Sequence, residues 1–187
     1  MTDPRETLEI QNVVASTEIG QEIHLEELAG DLSHSEYNPE HFPGIVFRSP
    51  SPKATTLIFR SGKTVCTGAK TVENVHRAVT IVFDELRELG VEVEEDPEIA
   101  IQNMVSSGDL GQQLNLNAIA IGLGLKDTEY EPEQFPGLVY QLSALDVVVL
   151  LFGSGKMVVT GATSVGDTEA ALETVQSRLQ ELDLMTV

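Results

Sequence analysis

The stretch EYNPEHFPGIVF at residues 36–47 returns as EYEPEQFPGLVY at residues 129–140. One such match could be chance, so its extent decides its meaning. LIFRSGKTVCTGAK (57–70) returns as LLFGSGKMVVTGAT (150–163) at the same spacing. IQNVVAS (10–16) returns as IQNMVSS (101–107), so two residues are added between Asn103 and Tyr130 in the second copy. The 187-residue chain therefore divides into two tandem repeats, residues 1–93 and 94–187. Two copies are too few for a solenoid.

One repeat reads as follows. Residues 8–17 alternate and predict a strand. Residues 24–32 set Leu25, Leu28, Ala29 and Leu32 on one helical stripe, and the second copy repeats it with Leu116, Ile119, Ala120 and Leu123. Strands are predicted at 43–48, 54–60 and 63–68, the last two joined by a turn at Ser61-Gly62. A long helix over 72–89 follows, with Val72, Val75, Val79, Val82, Phe83 and Leu86 on one face and Gly90 as its stop. Ala171, Val175, Leu179 and Leu182 mark the same face in the second copy.

Two helices per repeat can cover one sheet face only. Yet the strands are apolar on both. Ile58 opposes Leu57 and Phe59; Val149 and Leu151 oppose Leu150 and Phe152; Cys66 opposes Val65. A sheet covered on one side should alternate apolar and polar. The surplus apolar face marks a binding surface.

Composition narrows the partner. The chain is 41% hydrophobic, enough for a real core. It lacks an apolar run of membrane-spanning length, and its polar N-terminus is not a signal peptide. Cys66 is the single cysteine, so no internal disulfide is expected and the setting reads as cytoplasmic. Net charge is −19, from 30 acids against 11 bases. On its own that argues against DNA, whose binders are basic. It also fits a protein adapted to concentrated salt, where self-repulsion is screened.

The paired IQN, EY-x-PE-x-FPG, SGK and TGA blocks, over residues 8–185, resemble the TATA-box-binding protein family in its archaeal, salt-adapted form. The resemblance implies an α+β fold in which two tandem pseudo-symmetric repeats form one saddle-shaped curved antiparallel sheet, with helices on the convex face and DNA beneath the concave one. It implies a transcription initiation factor, not an enzyme, that binds and bends A/T-rich promoter DNA through the minor groove and nucleates preinitiation-complex assembly. This family is itself the standing example of minor-groove kinking, so the bend enters through the resemblance alone.

The resemblance assigns wedges to Phe42 and Phe59 in the first repeat and Phe135 and Phe152 in the second. Only six phenylalanines occur, and these four fall at equivalent positions. Asn12 and Asn103 would hydrogen-bond minor-groove acceptors near the pseudo-dyad, helped by Thr67 and Thr160, reading A·T against G·C. Val14, Leu57, Val65, Val105, Leu150 and Val158 would form the apolar floor. Phosphate contacts would come from Arg48, Arg60, Lys63, Lys70 and Lys156, with bases kept to the concave face and acids on the helices and edges. The counterparts of Arg48, Arg60 and Lys70 are Gln141, Gly153 and Thr163, so the second repeat should grip phosphate weakly. Residues 1–93 carry 8 bases and 15 acids, and residues 94–187 carry 3 and 15.

Expected partners are double-stranded promoter DNA, transcription factor B docking on Glu131, Glu133 and Gln134, and through it the RNA polymerase assembly. A homodimer without DNA is also open. No cofactor or metal is expected. The rival reading is a duplicated helix-on-sheet module binding an apolar small molecule or a protein partner. SGKT (61–64) is not a phosphate loop, because Leu57 stands where that motif needs glycine and a strand is predicted next. GLGLKD (122–127) lacks the third glycine of a dinucleotide fingerprint, and Cys66, mid-strand, reads as a small core residue.

Overall fold

The strand alternation fixes the architecture of each repeat. The computed structural model describes residues 3–186. The first repeat holds β1 (Glu9–Glu18), α1 (Leu25–Asp31), β2 (Ser35–Glu36), β3 (Ile45–Pro50), β4 (Lys53–Ile58), β5 (Lys63–Ala69) and α2 (Val72–Glu88). The second holds β6 (Ala100–Asp109), α3 (Leu116–Leu123), β7 (Thr128–Glu129), β8 (Leu138–Leu142), β9 (Val147–Leu151), β10 (Lys156–Ala162) and α4 (Val165–Glu181). Strand order is β2-β3-β4-β5-β1 in the first and β7-β8-β9-β10-β6 in the second. The ladders within each repeat are antiparallel.

Three elements were not expected. β2 and β7 are two residues each, too short to leave a periodic signal, and a single 3-10 turn spans Pro4–Thr7. The long helices start where side-chain caps allow. Thr71 accepts from the Asn74 amide at 3.0 Å and Ser164 from the Asp167 amide at 3.1 Å. Gly90, at φ +86°, ends α2, as its sequence position suggests. Leu182 departs from the expected face. It lies just past α4 and is 39% exposed, because the helical stripe ends with Leu179.

The core sits between each long helix and one sheet face. α2 packs on β4 and β5, and α4 on β10. Val75, Val79, Val82, Phe83 and Leu86 are buried there with Ile45, Phe47, Ile58 and Cys66. Burying a side chain of this size contributes about 1.5–3 kcal/mol.

The chain forms two compact units whose cut does not follow the repeat boundary. One joins the described residues up to Gln11 with those from Asn103 onward; the other is Asn12–Gln102. In the former, Arg5 pairs with Glu173 at 2.6 Å, and the Thr7 hydroxyl accepts from the Asp109 amide at 2.8 Å. Gln11 Nε2 donates to Ser107 Oγ at 2.8 Å. In the other unit Gln102 Nε2 donates to Ser16 Oγ at 2.8 Å, the equivalent bond.

Gly62 and Gly155 form the SGK turns at φ +89° and +93°. A Cβ on either would collide with the carbonyl oxygen of Gln21 or Gln112. Gly20 has φ +100° but open space around it. Gly62→Ala should therefore cost about 1–3 kcal/mol and lower the calorimetric Tm by about 2–12 °C. Gly20→Ala, which carries backbone strain alone, should cost clearly less; an equal drop would show that the carbonyl contact is immaterial.

Candidate nucleic-acid interface

The second face of the strands in each repeat is where the expected apolar site residues collect. Val14, Leu57 and Val65 in the first repeat, and Val105, Leu150 and Val158 in the second, are half-buried. Their strand neighbours on the helix side, Val13, Ile58, Cys66, Met104, Leu151 and Val159, are 0–2% exposed. Leu57 lies directly opposite Val65, and Leu150 opposite Val158, so the apolar side chains form cross-strand pairs. Val46 and Val139 extend the rows beside Leu57 and Leu150. The alternation alone could have placed those two valines.

The four phenylalanines form two pairs on this face. The Phe42 and Phe59 rings have centroids 5.7 Å apart at 59°, and those of Phe135 and Phe152 are 5.9 Å apart at 71°. Phe42, Phe59 and Phe152 are half-buried and Phe135 is 40% exposed, whereas Phe47 and Phe83 are core at 1%. The glycine of FPG explains the close approach. A Cβ on Gly44 would lie 2.9 Å from the Ile58 carbonyl, 3.1 Å from Phe42 and 3.2 Å from Phe59. A Cβ on Gly137 would lie 2.7 Å from Phe135 and 3.0 Å from Phe152. No side chain fits beneath either ring pair. The sequence could not reveal this, because the need arises only once the second ring is folded against the first.

Polar groups on this face are few and oriented. The β1–β5 and β6–β10 ladders each slip register, between Val13 and Ala15 and between Val159 and Ala162. Gly68 and Gly161 lie at these bulges with φ of +91° and +94°. The Gly68 amide donates to Asn12 Oδ1 at 2.7 Å, and the Gly161 amide to Asn103 Oδ1 at 2.6 Å. A backbone N–H can only donate, so each carboxamide oxygen is fixed and the amide flip is settled. Asn12 Nδ2 then donates to Thr67 Oγ1 at 3.1 Å, and Asn103 Nδ2 to Thr160 Oγ1 at 3.3 Å. One N–H of each amide remains for a ligand. What this face offers at Asn12 and Asn103 is hydrogen-bond donation. Gly68 and Gly161, inside the conspicuous TGA blocks, have no side chain and so invite no functional reading from sequence.

The cations are less free than expected. Arg48 pairs with Glu36 at 3.1 Å and Arg60 with Glu26 at 2.8 Å, all exposed. Lys63, Lys70 and Lys156 are exposed and make no ion pair among the described residues. Lys156 shares an open groove with Glu9, Asp109 and Phe152. Bases are also not confined to this face: Arg77 and Arg87 stand on α2 and Arg178 on α4, where Arg87 and Arg178 meet acids three residues away. Helix-borne i,i+3 pairing accounts for Arg87 and Arg178.

Glu131, Glu133 and Gln134 are exposed on the turn before β8. The amides of Gln134 and Phe135 both donate to the Glu131 carbonyl at 2.9 Å, so this acidic turn also carries the Phe135 ring. The SGKT segment runs into β5 and not into a helix. Cys66 is buried, and desolvation pushes its thiol pKa up.

The two FPG glycines should respond differently to alanine. Gly137→Ala meets only ring edges, so Phe135 turns away: ring-to-ring NOEs with Phe152 should vanish while stability changes by less than about 1 kcal/mol. Gly44→Ala meets the Ile58 carbonyl as well and should lose about 1–3 kcal/mol in denaturant unfolding.

Comparison with known proteins bears on the site. The family model described as Transcription factor TFIID (or TATA-binding protein, TBP) matches residues 7–89 and 98–182. TATA-box-binding protein E of Halobacterium salinarum is 62% identical over 185 residues, covering 99% of this chain and 100% of that protein. TATA-box-binding protein of Haloarcula marismortui is 60% identical with the same coverage. The structure of Methanococcus jannaschii TBP superposes with a TM-score of 0.85 at 52% identity, covering 94% of this chain and 99% of that one. The fold class expected from the sequence, the α+β saddle of two tandem repeats, stands on these matches.

Proposed function

The chain belongs to the TATA-binding protein family, and from that premise we propose that it is a general transcription initiation factor that binds A/T-rich promoter DNA through the minor groove, bends it, and nucleates the preinitiation complex. The family is one of transcription factors, not of enzymes. The observation that carries the reading is the pairing of fixed donors with an open apolar face. At Asn12 and Asn103 a bulge glycine occupies the carboxamide oxygen and a threonine takes one N–H, which leaves one N–H of each amide for a ligand. The minor groove of A·T pairs presents acceptors only, and G·C adds a guanine amino donor. An apolar floor studded with donors suits the former and leaves the latter without a partner, at a cost of about 1–3 kcal/mol for a buried unpaired group.

The ring pairs support the wedge role. Opening a base step costs a few kcal/mol, and stacking on an aromatic ring offsets part of it. In this reading residues 1–93 and 94–187 each supply one wedge pair, one asparagine and half of the floor. Transcription factor B docks on the turn bearing Glu131, Glu133 and Gln134, and RNA polymerase is recruited through it. The protein acts at the nucleoid in the cytoplasm; among the described residues no helix is long and apolar enough to cross a membrane.

The charge shapes the conditions. Net charge is −19, and the second repeat has few bases to hold phosphate. Ordinary DNA binders weaken as salt rises because binding releases counterions. Here the carboxylates near the duplex need screening cations, so affinity should hold or rise toward molar KCl. The test is a gel shift with a TATA-containing duplex and a G/C-rich one across KCl concentration. Preference for the TATA duplex, maintained at high salt, supports the reading. Steep loss above about 0.2 M salt, or equal binding of both duplexes, contradicts it.

Asn12→Asp and Asn103→Asp keep the acceptor for the bulge glycine and remove the donor. Each should weaken TATA binding about tenfold or more in the same assay, with thermal stability near that of the unaltered protein. Phe59→Ala combined with Phe152→Ala should abolish bending in a fluorescence-transfer assay on end-labelled duplex.

A further inference from the structure

Arg60 directly follows the Phe59 wedge, and its guanidinium is held by Glu26 on the first turn of α1 at 2.8 Å. Both side chains are well exposed, at 61% and 59%. The carboxyl of Glu26 is held below the usual carboxylate range first by its own backbone amide and then by Arg60, with Tyr37 adding to the same effect. Glu26 also raises the Arg60 pKa, again with help from Tyr37. The acid is therefore anchored at a helix start and stays charged.

The second repeat provides an internal comparison. At the equivalent places stand Asn117 and Gly153, and only the tyrosine is retained, as Tyr130. These three residues line an open cleft where the first repeat has its ion pair. Acid and base are thus absent together. The other pair behaves differently: Arg48 is replaced by Gln141 while its acid persists as Glu129. Of the two pairs, only Glu26 and Arg60 come and go as a unit.

We propose that Glu26 competes with DNA phosphate for the Arg60 guanidinium, making this arginine a phosphate contact whose strength an acid in the same repeat sets. The proposal rests on the DNA-binding reading above. An exposed ion pair is weak and easily screened, so breaking it is cheap. A guanidinium forms bidentate contacts with phosphate as it does with carboxylate. At low salt the exchange of one anion for the other is near neutral, and Arg60 adds little net affinity. With Glu26 neutralised, the same arginine adds its full contact.

A double-mutant cycle on TATA-duplex affinity tests this, with each variant's fold verified by far-UV circular dichroism. At about 0.1 M KCl, Glu26→Gln should tighten binding about two- to fivefold when Arg60 is present. In the Arg60→Gln background the same change should alter affinity by less than about 1.5-fold, and the coupling should fade toward molar KCl. An equal gain in both backgrounds would mean that Glu26 acts through the general field, and the proposal fails. A loss of affinity in Glu26→Gln would make the acid a positioning partner of Arg60 and overturn it as well. If the unaltered protein does not prefer the TATA duplex at all, the DNA-binding reading falls and this proposal with it.

Discussion

A β-sheet has two faces, and each repeat contains long helix enough for one. That constraint governs the rest of the molecule. Leu57 and Ile58 are neighbours of the same chemical kind, yet Ile58 is fully buried beneath α2 and Leu57 is half-open. Leu150 and Leu151 differ in the same way, half-open and fully buried. Leaving such rows partly wet forgoes about 25 cal/mol for each Å² of apolar surface not removed from water. In dilute salt a net charge of −19 opposes the association of such faces, because like-charged molecules repel before apolar patches meet, and concentrated salt screens that repulsion.

Within that open face, backbone geometry decides how the polar side chains are oriented. An asparagine on a strand could present either end of its carboxamide. The bulges at Gly68 and Gly161 turn an amide toward Asn12 and Asn103 and settle the matter. The positive φ at each glycine is what takes the strand out of register. Gly44 and Gly137 act by a different means: they leave room, and the ring pairs occupy it.

Much of this was legible in the sequence, for a physical reason. Period-two alternation is read residue by residue, so the opposition of Leu57 and Ile58, or of Val65 and Cys66, needs no coordinates. The duplication then supplied a second reading of every position, which singled out four of six phenylalanines. Contacts that depend on distant chain segments were not legible. Glu26 and Arg60 belong to separate elements, and nothing local announces that they meet. The strands β2 and β7 have no periodicity to detect, and the stripe of α4 was extended to Leu182 because periodicity carries no mark of a helix end. Charge placement is not legible for a related reason: Arg87 and Arg178 pair with acids three residues away on their own helices, which a face-by-face argument about strands ignores.

The bonds from Gln11 to Ser107 and from Gln102 to Ser16 are one interaction written twice, with donor and acceptor exchanged between copies. Severing the chain between residues 93 and 94 would not release two small proteins, since the opening segment up to Gln11 is folded with the residues from Asn103 onward. A reciprocal handshake of this kind is what two identical chains make about a twofold axis. Within one chain the same exchange needs no second molecule, so it does not depend on concentration.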